Sequence, residues 1–287
     1  MISRNLLLRV AFAVPAIALA LVVVWQGAWV LAAVLGALGV LGVRELYDLA
    51  RRDGVAPLDA IGYIGAAAIP FAAIWAQRSE LHWAEPLIFL SAVWLLAVLV
   101  AAMIMRGPQG RPLTAVAVTI FGCLYASALL AFVVPIRHGV HSDAHPLAST
   151  ALVGLPLAVT WTCDTCAMAA GTLIGGPKLS PVLSPHKTWS GAVGGVVGAI
   201  VAALIYGSVV LDRVAFHLGS PRLIVSALVI AIAAQVGDAA ESLLKREAGL
   251  KDSSSLIPGH GGVLDRLDSL YFVLPVTAGL FRLWGVI

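Results

Sequence analysis

Nine apolar runs, at roughly 8–25, 28–46, 58–76, 86–105, 114–135, 151–174, 189–211, 223–244 and 265–285, leave this chain few ways to fold. Each is close to the ~20 residues a helix needs to cross a hydrocarbon core about 30 Å thick. Only 11% of residues are charged and 60% are apolar, whereas a soluble domain carries about 25% charged residues. The expectation is an all-α, polytopic membrane helix bundle of about nine transmembrane helices. No segment between the runs is long enough for a separate soluble catalytic domain.

Lysine and arginine placement orients such a bundle. With the amino terminus cytoplasmic, Arg78, Arg137, Arg213, Arg222 and Arg282 fall on the outer side and the other thirteen of the 18 basic residues fall inside. Arg4 and Arg9 ahead of the apolar stretch from Val10 to Trp25, with an Ala18-Leu19-Ala20 triplet, resemble a secretory leader. The triplet lies within the run, however, and a second apolar stretch follows at once, so a retained first span is expected.

The net charge of +3 and the lack of a basic stripe with interleaved aromatics argue against a nucleic-acid partner. Three cysteines do not make a disulfide framework, and the CxxC spacing of Cys163 and Cys166 sits in mid-span, where packing is the simpler reading. His138, His141 and His145 have suggestive metal spacing, but Gly139, Asp143 and Pro146 point to an irregular outer loop.

The two halves differ. Residues 1–150 keep nearly all charges in loops and read as an N-terminal transmembrane scaffold. Residues 151–287 read as the catalytic half, with Asp164 and Asp238 intruding into spans. An acid at such depth faces a polar cavity, pairs with a cation, or bonds to a neighbouring helix. Gly191, Gly194, Gly195 and Gly198 give GxxxG spacings that allow close helix contact.

Polar residues concentrate between Asp238 and Asp268, which hold six of the 15 acids and four of the 18 bases. Asp238, Glu241, Ser242 and Lys245 share one helix face at i, i+3, i+4 and i+7. Asp265, Asp268 and Ser269 repeat the i, i+3, i+4 spacing. Between them, Ile257-Pro258-Gly259-His260-Gly261-Gly262 cannot form regular helix. Carboxylates suit divalent cations. Lys245, Arg246, Lys251 and Arg266, with glycine N–H groups, suit phosphate. His260 contacts phosphate or shapes the turn. The segment from Lys178 to Gly191 adds Lys178, Ser184, Lys187 and Thr188 near a helix start, read either as a phosphate loop or as a capped cytoplasmic loop.

These residues resemble the phosphatidate cytidylyltransferase (CDP-diacylglycerol synthase) family. The likeness runs over 27 residues, as Ser242-x-Leu244-Lys245-Arg246, then Lys251-Asp252-x-Ser254-x-x-Ile257-Pro258-x-His260-Gly261-Gly262-Val263-x-Asp265-Arg266-Leu267-Asp268. A weaker likeness covers Asp164 to Gly195, where Ser184, Pro185, Lys187, Thr188, Gly191, Gly194 and Gly195 fit. Met168, Thr172 and Gly176 depart from an aromatic and two basic residues often found there.

The resemblance implies CMP transfer from CTP to phosphatidate, giving CDP-diacylglycerol and pyrophosphate in phospholipid biosynthesis. It also implies Mg2+, with room for a second cation, on Asp238 and Asp265. Lys245 and Arg246 are then catalytic. Lys187, Ser184, Thr188, Lys251, Arg266, His260, Asp268 and Asp164 are substrate-binding. The partners expected are CTP, phosphatidate and membrane lipid, with a homodimer compatible and the active site on the cytoplasmic face of the cell membrane. A transporter would spread its acids along a transmembrane path instead of gathering them. Another CTP-using lipid enzyme would differ only in its acceptor.

Overall fold

A computed structural model of the chain describes residues 4–78, 84–139, 145–181, 183–257 and 261–287, with backbone only at 4–14 and 84–85. The helices are α1 (Arg4–Gln26), α2 (Ala28–Arg52), α3 (Asp59–Arg78), α4 (Ala84–Met105), α5 (Pro112–His138), α6 (Pro146–Ile174), α7 (Trp189–Val214), α8 (Ser220–Glu247), α9 (Leu264–Leu267) and α10 (Leu270–Leu283). Single π-turns at Leu124–Ala128 and Gly207–Leu211 interrupt α5 and α7. The strands β1 (Lys178–Ser180) and β2 (Ser184–Thr188) form a small antiparallel hairpin.

The protein is therefore an all-α polytopic bundle. Among the described residues, α2 through α8 are the seven helices long and apolar enough to cross a membrane. The outermost apolar runs also form helix. The last does so in two pieces, α9 and α10, because the chain turns at Asp268 and Ser269. The 14 residues of α10 rise about 21 Å, less than the ~30 Å of a hydrocarbon core.

Contacts divide the chain into two compact units. Unit one comprises residues 1–134 and 247–266. In it α2 packs on α3 and α5 through small residues that let the helices approach closely. Tyr47 fills the space left by Gly62 and Gly122, and its hydroxyl donates to the Thr119 carbonyl at 2.8 Å. Ser127 Oγ donates to the Ala66 carbonyl at 2.7 Å. Such interhelical bonds partner polar groups that lipid would leave unsatisfied.

Unit two comprises residues 135–246 and 267–287. Its tightest pair is α6 against α7. A Cβ at Gly191 would lie 2.8 Å from the Ala167 carbonyl oxygen, and one at Gly194 would lie 2.4 Å from Ala170 Cβ. The glycine spacing read from the sequence is thus a packing device. Cys163 and Cys166 are free thiols of that same interface.

Candidate active site

Unit two holds one group of the sequence-predicted residues. The β1–β2 hairpin leads into α7, whose N-terminus is capped by Thr188 accepting from Gly191 N at 3.1 Å. One residue earlier, Lys187 pairs through Nζ with Asp238 Oδ2 on α8. Ser242 Oγ lies 3.4 Å from the other Asp238 oxygen, one turn along.

A cavity of about 480 Å3 opens here, lined by Asp164, Met168, Thr172, His186, Lys187, Gln235 and Asp238 among others. Asp164, in mid-helix, therefore faces this space rather than a packed interface. Gln235 Nε2 donates to the Ala192 carbonyl at 3.3 Å and holds the cavity wall. A larger groove of about 810 Å3 along other faces of α6 and α7 has no carboxylate, amine or imidazole, and suits lipid chains rather than phosphate chemistry.

Gly237 lets α8 lie against the turn that precedes α10; a Cβ there would be 2.8 Å from the Asp268 carbonyl oxygen. That approach puts Asp268 within the field of Asp238. Burial first, then the Asp238 charge, pushes the Asp268 carboxyl up to about 6, although Ser269 N donates to it at 2.6 Å. Glu241 and Lys245 are buried on the next turn of α8 and pair at 3.0 Å. Asp238, Glu241, Ser242 and Lys245 thus share one face, as the spacing predicts. Arg246 is exposed, as are His186 and, in unit one, Lys251 and Arg266.

Unit one holds a separate group of the sequence-predicted residues, in the 251–266 segment. Asp265 is 8% exposed. Its Oδ2 accepts from Ser253 N, Ser253 Oγ and Gly262 N, each at 2.8 Å. Three donors on one oxygen fix the direction of the carboxyl group. Glu45 of α2 meets the same segment, accepting from Ser254 Oγ at 2.7 Å, Leu264 N at 2.8 Å and Val263 N at 2.9 Å, and lying 3.0 Å from Ser253 Oγ, whose one proton it shares with Asp265.

Sequence reading missed Glu45, which lies near a helix end among charged residues that look like an ordinary cytoplasmic loop. It also missed Gln235, whose signal was a polar residue three positions before Asp238 in an apolar run. His260 and His141 lie outside the described residues. Ser184 is in β2 and half-buried.

The carboxylate cluster of unit two allows a test of the magnesium expectation. Asp164, Asp238, Asp268 and Glu241 stand against two ammonium groups, Lys187 and Lys245. Among the described residues, no three His, Cys, Asp or Glu side chains are gathered closely enough to enclose an ion. Magnesium typically uses one or two protein carboxylates, keeps waters and takes further oxygens from substrate phosphates. An oxygen-only set with surplus negative charge fits that habit.

Long apolar helices, with an acid- and lysine-lined cavity in unit two, mark a polytopic membrane protein. The chain belongs to the cytidylyltransferase family, whose model matches residues 7–284. It is 46% identical over 142 residues to a phosphatidate cytidylyltransferase of Brucella suis, covering 50% of this chain and 49% of that protein. It is 34% identical over 200 residues to the phosphatidate cytidylyltransferase of Thermotoga maritima, covering 69% and 71%. It is 29% identical to phosphatidate cytidylyltransferase 5, chloroplastic, of Arabidopsis thaliana, over 92% of this chain and 69% of that one. The chain thus spans about half the length of the Brucella relative it matches.

Proposed function

We propose that this chain transfers CMP from CTP to phosphatidate, forming CDP-diacylglycerol and pyrophosphate for phospholipid synthesis. The observation that carries the reading is the cavity in which the Lys187 ammonium meets the Asp238 carboxylate beside Asp164. Membership of the cytidylyltransferase family and relatives named for this reaction support it. The positive-inside count supports a site facing the cytosol, where CTP is found.

Phosphatidate already carries a nucleophilic phosphate oxygen, so no strong general base is required. That oxygen attacks the α-phosphorus of CTP, and the bond to the β-phosphate oxygen breaks as pyrophosphate leaves. Asp238 and Asp265 are the proposed magnesium ligands, with Asp268 and Asp164 beside Asp238 in unit two. Bound magnesium would supply charge neutralisation at the transferring phosphates.

The chain's own cations do the rest. Lys187 exchanges its bond to Asp238 for one to a substrate phosphate. Lys251 and Arg266 are exposed and available to the triphosphate, while Lys245 is held on α8 by Glu241 and helps balance Asp268. Positioning and electrostatic stabilisation supply the rate enhancement.

The test is purified protein in detergent with labelled CTP and phosphatidate, with and without magnesium. Magnesium-dependent appearance of labelled CDP-lipid is expected. No CDP-lipid under any divalent cation would refute the reading.

A further inference from the structure

Glu45 lies in α2, within the half expected to be scaffold, and is only 4% exposed. Burying a carboxylate is costly unless hydrogen bonds replace the lost water. Here Ser254 Oγ, Val263 N and Leu264 N do so, with Ser253 Oγ sharing its one proton between Glu45 and Asp265, and all four groups come from one segment more than 200 residues away. Ser253 and Ser254 stand at one end of that segment, Val263 and Leu264 at the other. None of the four is a cation.

The contact depends on a glycine. A Cβ at Gly262 would lie 2.4 Å from Glu45 Oε2 and 2.1 Å from Ser253 Oγ, so only a bare backbone lets the carboxylate in. Ser253 then passes the constraint on. Its hydroxyl oxygen stands 3.0 Å from Glu45 Oε2 and 2.8 Å from Asp265 Oδ2, and its N–H donates to that same Asp265 oxygen. Gly262 N donates to Asp265 as well. These three donors to Asp265 Oδ2 therefore belong to residues beside Glu45.

Among the described residues, these hydrogen-bond partners of Glu45 all lie in this segment, whereas α2 is held to α3 and α5 by other residues, among them Tyr47 and Gly39. Loss of the Glu45 bonds should loosen the segment and leave the helices packed.

We propose that Glu45 is a positioning residue for the cytidylyl transfer. It clamps both ends of the 253–264 segment so that Asp265, with Lys251 and Arg266 on either side, is presented in one arrangement. The inference rests on the reaction proposed above. Its geometric part, the clamp, can be read without turnover. Glutamine in place of Glu45 would offer one acceptor oxygen and turn an amide N–H pair toward donors, so it cannot hold all four bonds.

The experiment compares full-length wild type, Glu45→Gln and Ser254→Ala in detergent by amide hydrogen exchange and by steady-state kinetics. In Glu45→Gln, the amides of Ser253, Gly262, Val263 and Leu264 should exchange at least about tenfold faster, with those of α2 and α3 unchanged. The kcat should fall about 100-fold with little change in the KM for phosphatidate, as expected of misplaced groups. Ser254→Ala removes one of the three unshared bonds to Glu45 and should show both effects in weaker form, including where Glu45→Gln fails to fold.

Unchanged exchange of these amides in Glu45→Gln overturns the clamp. So does faster exchange with kcat intact. If Glu45→Gln does not fold, wild-type exchange and kcat in Ser254→Ala overturn it. A wild type that forms no CDP-lipid overturns the reaction reading instead, and the exchange arm still decides the clamp.

Discussion

Replacing Gly237 with alanine tests whether the close approach of α8 to the Asp268–Ser269 turn sets the carboxylate cluster. The new methyl would stand 2.8 Å from the Asp268 carbonyl oxygen, 3.1 Å from Phe272 Cδ2 and 3.2 Å from Ser269 Cα. Ordinary contact begins at 3.4 Å, so the carbonyl must withdraw by about 0.6 Å. Two of the three neighbours are backbone atoms and cannot swing aside. Overpacking of this kind costs about 1–3 kcal/mol, offset by up to ~1 kcal/mol from the better helix propensity of alanine. The net loss of stability is therefore at most about 3 kcal/mol.

The rate is the more sensitive readout, because the shift moves Asp268 relative to Asp238. If a 1 Å displacement costs about 100-fold, 0.6 Å costs about tenfold in kcat. Gly279→Ala in α10 is the matched control, since nothing lies within 4 Å of its added Cβ. It should keep full rate and gain up to ~1 kcal/mol. Thermal unfolding and initial rates in detergent measure both. A Gly237→Ala protein with wild-type kcat, or equal losses in the two variants, would refute the reasoning.

Asp265→Asn keeps an amide oxygen that can accept the donors of Ser253 and Gly262. Thermal unfolding should shift little while CDP-lipid formation falls by at least about 100-fold; normal activity would remove Asp265 from the proposed metal ligands. Lys187→Met breaks the pair with Asp238, whose side chains are 31% and 34% exposed. That should cost no more than ~1 kcal/mol of stability, yet lower kcat/KM for CTP at least tenfold, about what one lost phosphate contact is worth. Gly194→Ala puts a methyl 2.4 Å from Ala170 Cβ and should destabilise by about 1–3 kcal/mol. Adding Ala170→Gly should recover part of the loss, because the next neighbour is the Cys166 carbonyl oxygen at 3.5 Å.

Sequence alone determined the all-α membrane bundle, because runs of apolar residues near 20 long have only a hydrocarbon core to enter. It also determined the shared face of Asp238, Glu241, Ser242 and Lys245, because a 3.6-residue period fixes direction without reference to anything else. The GxxxG spacing between α6 and α7 was legible for the same reason.

Tertiary structure decided the rest. The turn at Asp268 and Ser269 splits what reads as one apolar run, and Gly237 matters only because that turn is packed against it. Glu45 looks like one more charge at a helix end until folding brings residues 253–264 to it. Hydrogen bonds across more than 200 residues leave no periodic trace in a sequence, and so the residue that holds Asp265 in place becomes visible only in three dimensions.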